Sequence, residues 1–112
     1  MEQLVAEKAL DEDCKLCPKF TRTFMILGKK WNGLIIEVLL KNGNMRFKDI
    51  ASSIAKCSDR VLCERLKELE DEQIVIRNTY EGSSRVDDSL TERGQELRPV
   101  MEAVHTWSDK WI

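Results

Sequence analysis

Residues 57–69 have the sequence CSDRVLCERLKEL, and no other stretch says as much about the fold. Leu62, Leu66 and Leu69 recur at the spacing of an α-helix, so they form one apolar stripe. Ser58 stands just before the first turn, where its hydroxyl can cap the free amide groups. The segment therefore predicts a short helix with one buried face. The opposite face carries Arg60, Cys63, Glu64 and Lys67.

The segments on both sides of this helix complete a recognisable unit. Residues 47–54 (FKDIASSI) form a second amphipathic segment, and residues 55–57 are long enough for the tight turn between two crossed helices. Downstream, VIRNTY (75–80) and RVDDSL (85–90) flank a polar tip, which predicts a β-hairpin. A helix-turn-helix followed by a hairpin is a winged helix, so residues 57–69 are predicted to be a DNA recognition helix.

The fold class predicted for the chain is mainly α with a small β-hairpin, as a single winged-helix DNA-binding domain over residues 1–112. Residues 1–17 form an N-terminal arm, a helix follows Pro18 and ends at Gly28, and a core helix ends at Gly43. Met45 and Arg46 are candidates for a short third strand. Thr91 can cap a final helix over residues 92–111. The apolar stripe of that helix needs a partner surface, and we favour a second copy of the chain over the domain's own core.

The charge distribution favours DNA binding more than the total charge does. The 112 residues carry a net charge of -2, but residues 29–67 contain nine basic and four acidic side chains. Acidic residues collect in residues 1–13 and 68–72. A positive region with acidic flanks suits a groove binder, although charges that only solvate helix surfaces would give similar segregation. The chain has no segment apolar enough to span a bilayer and no signal peptide, which predicts a cytoplasmic protein.

In chain order, the sequence contains the motifs CP (17–18), GKKW (28–31), MRF (45–47), SDRVLCERLKELE (58–70) and SLTERG (89–94). Together these motifs resemble the HxlR family of winged-helix transcriptional regulators. The resemblance covers about residues 14–111 and implies a homodimer, with N- and C-terminal helices at the interface, on a palindromic operator in double-stranded DNA. The family usually has tyrosine where this chain has Asp88, which argues against a second wing strand that faces phosphate.

Candidate DNA contacts follow from the basic face and from this resemblance. Arg60 is the best candidate for reading a base, because arginine can bond both O6 and N7 of guanine. Lys67 shares that face, and Ser58 and Asp59 stand at its leading end. The alternative is a solvated helix surface, and Arg65 could instead pair with Glu68. The candidates for phosphate contact are Lys48, Lys56 and Arg85.

Cys14 and Cys17, in CKLCP, form a second candidate site. A thiol beside Lys15 and Lys19 and near a helix N-terminus favours the reactive thiolate. The family resemblance implies oxidant or electrophile sensing at Cys17, with Cys14 or a cysteine of the other subunit as the resolving partner. The alternative is a pair of free cytosolic cysteines with no role.

Other uses of these residues are less favoured. Cys-x-x-Cys is half of a zinc site, but Cys57 and Cys63 point about 120° apart on a helix and cannot easily complete it. The chain has no phosphate-binding glycine loop and one histidine, so we predict neither an enzyme nor a cofactor or metal. The sequence predicts a thiol-responsive transcriptional regulator. The alternatives are the same fold regulated by a small-molecule ligand, and a winged-helix protein-interaction module that does not bind DNA.

Overall fold

Helices make up most of residues 16–112, the part of the chain that the computed structural model describes. The chain divides into two compact units, residues 1–33 and residues 34–112. Cys14 and all but the last two residues of the predicted arm lie outside the described residues. No helix within residues 16–112 is long and apolar enough to cross a bilayer.

In the first unit, helix α1 spans Pro18–Leu27. Proline suits this first turn because its fixed φ is already helical and its missing amide hydrogen has no partner to lose there. The helix ends at Gly28, as predicted. A Cβ at Gly28 would lie 2.6 Å from the carbonyl oxygen of Phe24, so a larger residue would force the end of α1 to shift.

The remaining elements follow in the order expected for a winged helix-turn-helix. The strands pair antiparallel from Val75 opposite Leu90 to Thr79 opposite Val86. The predicted third strand is a single bridge, in which Met45 exchanges two backbone hydrogen bonds with Asp88. The predicted fold class is therefore confirmed. The elements are α2 (Asn32–Asn42), α3 (Phe47–Ser53), α4 (Asp59–Asp71), β1 (Val75–Thr79), β2 (Val86–Leu90), α5 (Glu92–Gln95) and α6 (Arg98–Trp111).

The core of the second unit contains the leucine stripe of α4 and the apolar side of α2. Ile35 and Leu39 are fully buried, as their helical spacing predicts. The same spacing also predicts that Leu34 is buried, and this was wrong: Leu34 is 53% exposed, while its near neighbour Ile36 is fully buried. The sequence alone does not orient α2, because apolar residues occupy most of its surface and several stripes can be drawn on it.

The predicted C-terminal helix over residues 92–111 is two helices. Thr91 caps α5, with its hydroxyl accepting a hydrogen bond of 3.0 Å from the amide of Gly94. A new helix, α6, begins at Arg98, with Pro99 in its first turn. In a continuous helix the Pro99 ring would clash with the preceding turn and remove a backbone hydrogen bond, so the break falls just before it.

Candidate nucleic-acid interface

Helix α4 is held by a cap at one end and by leucines along one side. The hydroxyl of Ser58 accepts a hydrogen bond of 3.2 Å from the amide of Val61. Leu62, Leu66 and Leu69 are buried, which turns the opposite side of the helix outward. The predicted orientation of this helix is confirmed.

The seven residues predicted to contact DNA are all exposed. Within residues 16–112, Arg60 makes no side-chain hydrogen bond or ion pair, so its guanidinium is available for a ligand. Arg65 instead pairs with Glu68 at 3.1 Å, as the alternative interpretation proposed. The seven lie on α3, the turn, α4 and the hairpin tip: Lys48, Lys56, Ser58, Asp59, Arg60, Lys67 and Arg85.

A groove separates the far half of α4 from the hairpin. It has a volume of about 310 Å³, and Lys67 of α4 lines it together with Arg77 of β1. Lys67 therefore lies beside the hairpin, further from the leading end of α4 than Arg60. The other lining residues are Cys63, Leu66, Glu70 and Asp88.

The hairpin tip is organised around the carboxylate of Asp87, which is 1% exposed. Its Oδ2 accepts hydrogen bonds from the hydroxyl of Tyr80 at 2.8 Å and from Nε of Arg85 at 3.0 Å. Its Oδ1 accepts from the side-chain amides of Asn78 at 2.9 Å and Asn44 at 3.3 Å. Four donors thus converge on one buried anion. The predicted phosphate contact Arg85 is tied to this cluster.

Asp87 and Asp88 are adjacent in β2 but have opposite electrostatic surroundings. The hydrogen bond from Asn78, followed by those from Tyr80 and Arg85, lowers the pKa of Asp87. Burial raises the pKa of Asp88, and an ion pair of 3.7 Å with Arg77 opposes this shift. Both carboxylates are buried, so neither side chain points into solvent, where a DNA phosphate would lie.

Sequence reasoning missed the residues that build this cluster. Asn78 lies in β1 opposite Asp87, and Tyr80, two residues further on, directly follows the end of the strand. Polar side chains at alternate positions could have indicated a shared polar cluster. The sequence does not show which residues of the second strand they face, because that depends on the strand register. Asn44 is 43 residues from Asp87 along the chain, and no local pattern connects them.

Three cysteines fall within the described residues. Cys17 is exposed and precedes α1 at its N-cap position, close to the amide groups of the first turn. Cys57 is buried in the turn before α4, and Cys63 is exposed on α4. Among residues 16–112, no group of three or more histidine, cysteine or acidic side chains could hold a metal ion.

Comparison with known sequences identifies related proteins. The profile of the HxlR-like helix-turn-helix family matches residues 26–112. The chain is 44% identical over 97 residues to the HTH-type transcriptional regulator YodB of Bacillus subtilis, covering 86% of each protein. This relative is a transcriptional regulator, and no enzyme family is indicated.

Solved structures show the same fold. The reduced form of YodB superposes with a TM-score of 0.78 at 43% identity, covering 86% of this chain and 94% of that one. The quinone-bound form of YodB gives 0.76 at 44% identity over 86% of this chain and 100% of that one. The redox regulator HypR in its reduced form gives 0.75 at 29% identity, covering 82% of this chain and 91% of that one.

Proposed function

Because this chain belongs to the HxlR-like helix-turn-helix family and is a transcriptional regulator of that type, we propose that it binds a palindromic operator as a homodimer. In this proposal α4 lies in the major groove, and thiol chemistry at Cys17 changes the affinity for DNA. The observation that carries the proposal is α4 itself. Its leucines are buried, and Arg60 stands exposed at its capped end.

The proposed contacts divide into base reading and phosphate binding. Arg60 reads a base edge, since one guanidinium can bond two acceptors of guanine. Ser58 and Asp59 flank it at the leading end of α4. The remaining cations bind phosphates, which supply affinity without sequence preference and set the register of the protein on the duplex. These phosphate contacts are Lys48, Lys56, Lys67 and Arg85.

Helix α6 supports the homodimer. None of its fourteen residues is buried, and Trp107 is 59% exposed. Its polar side chains tie it to α2, because Arg98 donates to the carbonyl of Leu40 and the His105 ring contacts the carboxylate of Glu37. The exposed side keeps an apolar stripe that a second copy would cover. Light scattering should therefore give twice the chain mass of 13.0 kDa. The exposed apolar residues of α6 are Val100, Val104, Trp107 and Trp111.

Cys17 is the proposed sensor, and two properties support it. Its thiol is exposed to reagents in solution, and it stands at the N-cap position, directly before α1. The quinone-bound form of the related YodB indicates the class of signal that we propose, a compact electrophile or oxidant. Cys14 is the proposed resolving partner if the modification is a disulfide. We also propose that the protein acts in the cytoplasm, where its DNA target would be.

DNA binding is tested by selecting genomic fragments with reduced protein and measuring the affinity for an enriched fragment at several salt concentrations. We expect log affinity to fall steeply with log salt. Arg60→Ala should lose about fivefold to 150-fold in specific affinity, the equivalent of about 1 to 3 kcal/mol for a bidentate base contact. Arg93→Ala removes an exposed arginine of α5 and is the matched control. A protein-interaction module would enrich no fragment at low salt.

Thiol sensing is tested on the same enriched fragment. Reduced Cys17→Ser protein should bind as tightly as the wild type, and a quinone or mild oxidant should no longer release it. Cys63→Ser is the control, because its thiol is also exposed but lies on α4. If Cys17→Ser is still released, the assignment to Cys17 is wrong. If wild-type binding ignores both reagents, the regulator answers to another signal, such as a small-molecule ligand.

A further inference from the structure

The contacts of the hairpin tip suggest how Arg85 meets DNA. We propose that Asp87 and Tyr80 are positioning residues, which orient Arg85 so that its two terminal nitrogens grip a backbone phosphate. This inference rests on the proposed function and deepens it. It assigns a role to two residues that do not themselves touch DNA.

The geometry leaves one edge of the guanidinium free. Nε of Arg85 donates to Oδ2 of Asp87 at 3.0 Å. The guanidinium carbon lies 5.8 Å from the centre of the Tyr80 ring, and the hydroxyl of Tyr80 binds the same Oδ2. Within residues 16–112, the polar side chains that act on this guanidinium are Asp87 and Tyr80, and its hydrogen bond to Asp87 uses Nε. Arg85 is thus held at Nε by Asp87 and beside the Tyr80 ring, and its remaining N–H donors can bind a ligand.

The carboxylate that orients Arg85 is itself fixed. Asn78 binds the other oxygen of Asp87 from the paired strand, and Asn44 binds it from the connection between α2 and α3. That connection leads directly into the helix-turn-helix. The position of Arg85 is therefore tied to the element that carries α4, so wing and recognition helix can meet DNA in a fixed relation.

A phosphate is the ligand that this arrangement suits. Two parallel N–H groups of a guanidinium match two oxygens of a phosphate, and the match depends on the plane in which the guanidinium is held. Asp87 brings a negative charge close to the DNA, so charge alone predicts that its removal tightens binding. If Asp87 instead positions Arg85, removal of its carboxylate should weaken DNA binding. The sign of the change separates these two explanations.

The experiment is a double-mutant cycle on the enriched DNA fragment, with affinities measured at several salt concentrations. Arg85→Ala should weaken binding about tenfold and lower the salt slope by about 0.9, the value of one phosphate. Asp87→Asn and Tyr80→Phe should each weaken binding roughly threefold to fivefold through the loss of orientation. In the Arg85→Ala background, neither change should have a further effect.

Tyr80→Phe keeps the cycle informative even if Asp87→Asn fails to fold, because it removes one hydroxyl from a side chain that is 41% exposed. Asp88→Asn is the matched control, since it neutralises the adjacent buried aspartate without touching Arg85. If Asp87→Asn or Tyr80→Phe weakens binding equally with and without Arg85, the positioning role is wrong although DNA binding stands. If Asp87→Asn tightens binding, charge outweighs orientation and the inference is overturned. If the wild-type protein binds no DNA, the proposed function fails, and the phosphate contact fails with it.

Discussion

Helix α4 and the hairpin tip, the two elements proposed to face DNA, are held in place by different forces. Apolar burial holds α4, whose three leucines are covered, while the exposed side chain of Arg60 makes no hydrogen bond or ion pair within residues 16–112. A buried carboxylate holds the tip, where Arg85 is bonded to Asp87. Apolar burial does not change with pH, whereas a hydrogen-bonded anion does. One surface can therefore combine a pH-insensitive element with a pH-sensitive one.

The largest effect should come from the apolar side of the comparison. Leu62, on the inward side of α4, is fully buried. Leu62→Ala therefore leaves a cavity and should lower the free energy of unfolding by about 2 to 5 kcal/mol. Urea denaturation measures the change. Val61→Ala, on a partly exposed neighbour, is the control and should cost much less. A similar loss of stability in both variants would mean that burial of its leucines does not hold α4 in place.

The adjacent aspartates should respond in opposite directions. Asp87→Asn should lower the melting temperature at neutral pH by several degrees, because its carboxylate is stabilised by hydrogen bonds in the folded state. Asp88→Asn should raise it modestly, because burial penalises that charge. Thermal denaturation of both variants across pH checks this pair. The same sign for both at neutral pH would contradict the assignment.

The pH windows of the two effects follow from the pKa shifts. The pKa of Asp87 is lowered, so its stabilisation is present above the ordinary value of 3.8 and is lost as pH falls through the folded-state pKa. The pKa of Asp88 is raised, so its penalty is absent below 3.8 and grows as pH rises through the folded-state pKa. Both variants should therefore approach the wild type in acid.

The cap of α4 should have a smaller effect. Ser58→Ala removes the acceptor for the amide of Val61 and should cost about 1 kcal/mol of stability. Ser58→Asp keeps an acceptor at the same position and should restore most of the loss. Both variants are measured by denaturation without DNA. If the aspartate variant is no more stable than the alanine variant, the hydroxyl acts through something other than the cap.

The smallest effect is expected where α4 ends and the hairpin begins. Gln73 adopts a φ of 62°, and the amide of Ile74 bonds the carbonyl of Leu69 across it. This left-handed helix end favours glycine, so Gln73→Gly should stabilise the protein by about 0.5 to 1 kcal/mol. Gln73→Ala keeps the strain and should bring no such gain. Equal stabilities for the glycine and alanine variants would exclude backbone strain at this position.

Local patterns predicted α4 well, because the sequence signals that mark it, its cap and its leucine spacing, are close together in the chain. Ser58 caps an amide three residues away, and the leucines recur every three or four residues. The hairpin was predicted to within one residue at each end for the same reason, since a polar tip separates two short strands. The proposed DNA contacts on α4 depend on these local features.

Other features depend on tertiary packing, because the interactions concerned join distant residues or depend on which side of an element is covered. Leu34 and Ile36 are equally apolar, and only the packing of α2 buries one and exposes the other. Asn44 reaches Asp87 only after the hairpin folds against the connection before α3. Short-range spacing and caps, which any reader of the sequence can see, set where the helices and strands form. The role of Asp87 as a buried anchor for Arg85 exists only in the folded molecule, since a carboxylate gains that role from donors brought to it by the fold.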